Sequence, residues 1–314
     1  MFKFALPFLN RKSEPKGLAS LALTDDGIAL AYVNSANGEP VLEQCAFYDT
    51  AEPLSSHNEI HQLVAKLKLE GTPTVIVLPQ PSYQLLLVDA PDVPANEIPE
   101  ALRWRVKDLV SFDIETARID YVELPEDAYR SRSDMMYAVV AEESYLKRLA
   151  EFTEAVGLEP YAIDIPELVL LNLMAPIAQD ETGQGLFLTS SPSSSINLLS
   201  SQALYFTRSL SYDVKQAVFN PSMTAASSVL ELQRSLDYYE SQVGKPPCVK
   251  LHVLPMQEEE SPLLTELSNS LPLEVVSVDL NELIQVKPEL DLNLSLQQQC
   301  LLAVMGAFRP VASE

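Results

Sequence analysis

The chain has 314 residues, 47% of them hydrophobic, and its 44 acidic residues against 21 basic ones give a formal net charge of −23. That length holds one large domain or two ordinary ones, with apolar residues enough for a sizeable core. So acidic a surface repels nucleic acid and anionic lipid and excludes both as broad partners.

The chain opens with MFKFALPFLNRKSEPK, in which Phe2, Phe4, Leu6, Phe8 and Leu9 precede Arg11 and Lys12. This stretch is too short for a secretory signal and has its charges on the wrong side. It is expected to be a flexible tail over residues 1–16. A second reading makes residues 1–12 a peripheral membrane foot, although Pro7 weakens the helix such a foot needs.

Three apolar runs follow, Leu18–Leu23, Ile28–Val33 and Val41–Phe47, separated by Asp25-Asp26-Gly27 and Asn37-Gly38. Both separators predict hairpin turns. A helix is expected from about Asn58 to Leu69, then a short buried strand in TPTVIVLP. His57 and His61 are four apart at the helix start. Their order is not that of a zinc protease, and a solvated helix start accounts for them.

Residues 83–142 are expected to fold as a separate inserted subdomain of strands against one helix. Asn96 is the expected N-cap of that helix, and Ile98, Leu102, Val106 and Leu109 lie on one stripe. A further helix follows, with Tyr145, Leu149, Phe152 and Val156 on one face and Gly157 closing it.

The opening order then returns. Apolar runs at Leu186–Thr189, Ser195–Leu199 and Ala203–Leu210 precede a long helix through Ala225, Val229, Leu232, Leu236, Tyr239 and Val243, ended by Gly244. The strand CVKLHVLP follows. The acidic, proline-bearing MQEEESP is expected to be a surface turn that opens another helix, and the last helix, LQQQCLLAVMGAF, ends before Pro310. A meander, helix and strand thus occur twice, which predicts a duplicated α/β architecture. The richest apolar stretch, YAIDIPELVLLNLMAPIA, is broken by Asp164, Pro166, Glu167 and Pro176, so no transmembrane span is expected. Cys45, Cys248 and Cys300 sit widely spaced in apolar runs, as buried free thiols of a reducing compartment do.

The stretches LPEDAYRSRSDMMYAVVAEESYLKRLAEFTEAVGLEPYAIDI, ALRWRVKDLVSFDIETARIDYVEL and ELQRSLDYYES together resemble the PilM family of type IV pilus assembly proteins. Within it the chain is most similar to the branch serving the mannose-sensitive haemagglutinin (MSHA) pilus. The resemblance covers roughly Gly17 to Arg309. It implies an actin-like ATPase fold, related to that of the division protein FtsA, with a small inserted α+β subdomain in the first half. The implied division is a first actin-like domain over 17–82 and 143–184, the insert over 83–142, and a second domain over 185–314. It also implies a cytoplasmic protein held at the inner membrane through its partners. These are the N-terminal cytoplasmic tail of a PilN-like membrane protein, bound in a groove beside the insert, and other proteins of the pilus platform. The charge of −23 calls for a basic flank on the partner.

Active relatives of this fold grip phosphates with two glycine-bearing hairpins, each with an acid that holds the metal or orients the attacking water. In SLALTDDG, Leu21 or Ala22 stands at the acid position and Thr24 at the glycine; a shifted register would bring Asp25 back. In LFLTSSPSS, Leu188 stands at the acid position and Ser190 at the glycine, and Pro192 removes an amide donor. Both loops have lost acid and glycine together. TSSPSSS is therefore expected to be the relic of a phosphate loop, the competing reading being that its hydroxyls still bind phosphate.

Family likeness also marks Glu231 and Arg234, one helical turn apart, as the pair that reaches ribose and adenine in nucleotide-binding relatives. An exposed ion pair at that spacing is the simpler account. Gly306 in MGAFRP remains of an adenosine-side glycine motif. Trp104, the only tryptophan, either packs between the insert and its host domain or lines the partner groove. The expectation is a scaffold without enzymatic activity and without a bound cofactor or metal. The alternative is an actin-like switch that binds or hydrolyses ATP with magnesium.

Overall fold

A computed structural model describes residues 15–310 apart from 37, 130–133, 178–181 and 192–193, without the side chain of Met174. The membrane foot at residues 1–12, the turn residue Asn37 and the loop residue Pro192 lie outside the described residues.

β1 (Gly17–Thr24), β2 (Gly27–Asn34) and β3 (Val41–Asp49) form an antiparallel meander. α1 (His57–Leu67) leads to β4 (Pro73–Val77), parallel to β1. α1 stops where Lys68 turns left-handed, at φ 60°. The chain then leaves the sheet. β5 (Tyr83–Asp89), α2 (Ile98–Val106), β6 (Ala117–Glu123) and β7 (Met135–Glu142) build a separate antiparallel sheet of order β5-β7-β6. α3 (Glu143–Ala155) brings the chain back to β8 (Glu159–Asp164), parallel to β4. Gly157, with φ +92°, allows the tight reversal between them. Two short helices, α4 (Pro166–Val169) and α5 (Met174–Ile177), cross to the second half.

There β9 (Gly183–Leu188), β10 (Ser194–Ser200) and β11 (Ala203–Leu210) repeat the meander. α6 (Val214–Phe219) and α7 (Pro221–Tyr238) precede β12 (Cys248–Leu254), parallel to β9. α8 (Pro262–Ser270) leads to β13 (Glu274–Ser277), parallel to β12. Both sheets therefore run third strand, second, first, fourth, fifth in the order of their own halves. α9 (Leu280–Leu283), β14 (Gln285–Val286) and α10 (Leu294–Ala307) end the chain.

Alternation along β1 and β2 sorts side chains by size. Leu21, Leu23, Ile28 and Leu30 pack with Ile60, Val64, Leu146 and Leu149 of α1 and α3. Ala22, Ala29 and Ala31 face the other way, against Cys300, Val304 and Met305 of α10. This corrects the assignment of all of 185–314 to the second domain: β14 pairs with β3 of the first sheet, and α10 lies across that sheet. The small residues leave a trough shallow enough for a helix to enter. Gly306 lets α10 sink furthest, since a Cβ there would come within 2.3 Å of Ser20 Oγ and 2.9 Å of Val77 Cγ2. Overpacking such a contact costs about 1–3 kcal/mol.

Two details of the insert helix also differ from expectation. Its N-cap is Glu97, while Asn96 lies in the preceding 3₁₀ turn. Ile98, Leu102 and Val106 are buried, but the helix ends at Val106 and the chain turns, leaving Leu109 58% exposed.

Candidate functional site

The two meander hairpins approach each other at the cleft between the halves, where Lys215 of the second half meets the acids of the first hairpin. Leu21 and Ala22 are buried within β1 and offer no acid to the cleft. Thr24 Oγ1 bonds Gly27 O and accepts from Asp26 N at the turn. Opposite, Leu188 is buried. Thr189 donates both its N–H and its hydroxyl to Leu254 O, at 2.6 and 3.0 Å. Ser194 Oγ accepts from Ser190 N and donates to Tyr212 O. Thr189 and Ser194 thus use their hydroxyls to hold neighbouring backbone. From α6, whose Asp213 cap accepts from Lys215 N, Lys215 reaches over to Asp26 at 2.8 Å and Asp25 at 3.8 Å. A cation of the second half therefore sits on the acids of the first hairpin.

Of the residues expected at a nucleoside, Glu231 and Gly306 make contacts within the protein. Glu231 accepts from Ser211 N and Ser211 Oγ, both at 2.7 Å, and so fixes the chain between β11 and α6. Arg234 is exposed, and no Glu231–Arg234 ion pair occurs among the described residues, which also corrects the simpler account of the two. Gly306 is buried under Ser20, in helix-to-sheet packing. All three cysteines are buried free thiols, and Cys45 and Cys300 touch between β3 and α10.

Beneath the junction of insert, first half and second half lies a buried polar network. Asp164 and Arg309 form an ion pair with both side chains almost wholly buried. Burial pushes Asp164 up to about 6, against the opposing pull of the Arg309 guanidinium. Glu167, also raised by burial, accepts from Tyr83 Oη at 2.5 Å and Gln80 Nε2 at 2.8 Å. Its backbone oxygen accepts from Asn197 Nδ2, and Asn197 Oδ1 accepts from Thr207 Oγ1. Thr207 N donates to Tyr137 Oη of β7. Asp120 on β6 is raised to about 7, chiefly by burial; Tyr121 N satisfies one of its oxygens, and Oδ2 has no partner among the described residues. These contacts tie β5, β7, β8, α4, β10, β11 and the segment after α10 into one junction, which makes them structural.

An open groove of about 650 Å³ lies between the insert and the first half. The β1–β2 turn supplies Leu23, Thr24 and Asp25, and the loop before α1 supplies Glu52 to Ser55. The β4–β5 loop adds Pro79 to Ser82; Phe112, Glu142, Tyr145 and Arg148 complete the lining. Pro53, Pro79 and Pro81 bring no backbone donors to these walls and hold them stiff. Gln80 is anchored from below by Glu167, and Arg148 lies over the Tyr145 ring at 5.4 Å. Preformed apolar walls with a few polar groups suit an extended peptide. Asp25, Glu52 and Glu142 against Arg148 leave the lining acidic.

Trp104 is outside this groove. It is 66% exposed on α2 with Lys107 Nζ 5.4 Å from its ring centre, so it neither packs against the host domain nor lines the groove. The insert's aromatic in the lining is Phe112. Tyr145, the first residue of the expected α3 stripe, packs partly buried against the first-half core and also lines the groove. The signal that could have found this wall is LPQPS, two prolines flanking a polar residue after a buried strand.

The sequence matches no family model and no curated protein. In structure it is similar to a chain of a PilM–PilN type IV pilus biogenesis complex, at 20% identity over 95% of this chain and 98% of that one, with a TM-score of 0.75. It is also similar to a Bacteroides thetaiotaomicron protein with an actin-like ATPase fold and unknown function, at 11% identity over 91% and 97% of the two chains, with a TM-score of 0.55. The fold is thus the actin-like ATPase fold expected from the sequence.

Proposed function

We propose that this protein is a docking scaffold of type IV pilus assembly, of the MSHA-type branch typified by MshI. Its ligand is the cytoplasmic tail of a PilN-like inner-membrane protein. The observation that carries this is the stiff, apolar-walled groove between the insert and the first half. The fold is shared with a chain from a PilM–PilN complex, and no described helix is long and apolar enough to cross a membrane. In this role the protein works in the cytoplasm and reaches the inner membrane, and the other platform proteins, through that tail.

The same role needs no ATP turnover. Leu188 and Ala22 supply no carboxylate for magnesium, Glu231 is engaged by Ser211, and Lys215 occupies the acids of the first hairpin. Docking is tested by anisotropy of labelled tail peptide. Binding on the order of micromolar is expected, because a disordered tail must be ordered; no binding by any PilN-like tail ends the proposal. Calorimetric titration with magnesium-ATP should give no heat, and a saturable isotherm would replace the scaffold with a nucleotide switch.

A further inference from the structure

Asp25 stands where the groove and the inter-half cleft meet. It is part of the groove lining, and its carboxylate lies 3.8 Å from Nζ of Lys215, which holds Asp26 at 2.8 Å. The side chains of Lys215, Asp25 and Asp26 are 47%, 48% and 66% exposed. Pairs so exposed exchange partners readily, since water and mobile side chains compete for them. Within the groove the carboxylates of Asp25, Glu52 and Glu142 outnumber the one guanidinium, Arg148, which is drawn over Tyr145.

Resting on the docking role above, we propose that the occupant is an extended apolar segment bearing a lysine or arginine that pairs with Asp25. In doing so it displaces Lys215 from that carboxylate. Asp25 is then a specificity-determining residue. An arriving cation takes the acid that Lys215 approaches and is repelled by Lys215 itself across a few ångströms of partly screened solvent. The groove and the bridge between the halves are therefore in opposition: a filled groove loosens the bridge, and a made bridge weakens the groove. By linkage the two effects are equal in size. Nothing in the apolar contacts at Leu23, Pro79 or Phe112 would produce this coupling.

The experiment compares a labelled PilN-like cytoplasmic tail with the same peptide in which every Lys and Arg is replaced by Gln. Each is titrated into wild type, Lys215→Met, Asp25→Asn and Lys250→Met. Lys250 pairs with Glu274 on the second sheet, away from the groove, so that variant changes net charge as Lys215→Met does. Lys215→Met should tighten the natural tail about two- to five-fold, the range of an exposed ion pair. Asp25→Asn should weaken it by a similar factor. Both effects should shrink in about 1 M salt and vanish for the Gln-substituted tail, while Lys250→Met has the smaller, uniform effect of net charge. Equal affinities of the natural tail for wild type and Lys215→Met overturn the inference, as does tight binding by a tail that lacks any Lys or Arg. In either case the docking role stands, whereas failure of every tail to bind wild type removes both. Circular dichroism of each variant separates loss of binding from loss of fold.

Discussion

The cleft and the groove are the two concavities on either side of Asp25, and the protein treats them in opposite ways. At the cleft, Thr189 and Ser194 bond backbone, Glu231 accepts from the N–H and hydroxyl of Ser211, and Lys215 crosses from one half to the other. In the groove, Glu52, Glu142 and the faces of Phe112 and Tyr145 border open space. Polar side chains at the two hairpins are thus engaged with the protein itself, while the groove beside the insert is open.

The sharpest way to break this comparison is at the junction below both sites. Arg309→Met would leave Asp164 buried without its counter-charge. Unfolding stability in urea at pH 8 should fall by about 3–5 kcal/mol. The loss should be smaller at pH 5, where Asp164, with its pKa raised to about 6, takes up a proton and no longer needs the guanidinium. A loss under 1 kcal/mol at pH 8, smaller than ordinary core defects, would mean that the ion pair does not hold the junction.

A smaller effect separates structure from ligand binding through pH. Asp120 is raised from the ordinary 3.8 to about 7. The folded state therefore holds more protons than the unfolded state between those values. The stability that this contributes is complete below pH 4 and disappears as pH rises through 7. Asp120→Asn should remove that slope and raise stability at pH 8 by on the order of 2 kcal/mol, allowing for the solvent that still reaches the group. Identical pH–stability curves for wild type and variant would refute this.

Smallest of all should be Trp104→Ala. With the ring 66% exposed and outside the groove, stability should change by less than about 0.5 kcal/mol and tail affinity not at all. A clear loss of affinity would move the docking surface onto α2.

Local signals carried much of the fold. Asp25-Asp26-Gly27 placed the first hairpin, the spacing of Ile98, Leu102 and Val106 placed the buried face of α2, and the recurring meander announced two like halves. What remained hidden depends on contacts between residues far apart in sequence. Tyr83 meets Glu167 across 84 positions and Asn172 meets Met305 across 133; no periodicity encodes such pairs. The same holds for Lys215, an ordinary surface lysine until α6 is set beside the first hairpin. Trp104 was hidden because a lone tryptophan reads as core, and here it is exposed on α2 outside the groove lining. Gly306 is ambiguous for a different reason: close helix packing and close approach to a ligand both demand a missing Cβ, and the sequence does not distinguish them.

The return of β14 and α10 to the first sheet has a consequence for synthesis. β1 to β4 emerge early from the ribosome, yet one face of their sheet stays uncovered until Leu294–Ala307 has been made. During that interval the face of Ala22, Ala29, Ala31, Val33 and Leu42 lacks the helix that lies across it. The first half is begun first and completed last, with Arg309 arriving at Asp164 as the closing contact. A ribosome that stalls before α10 would leave that face of the first sheet exposed, a target for chaperones and for aggregation alike.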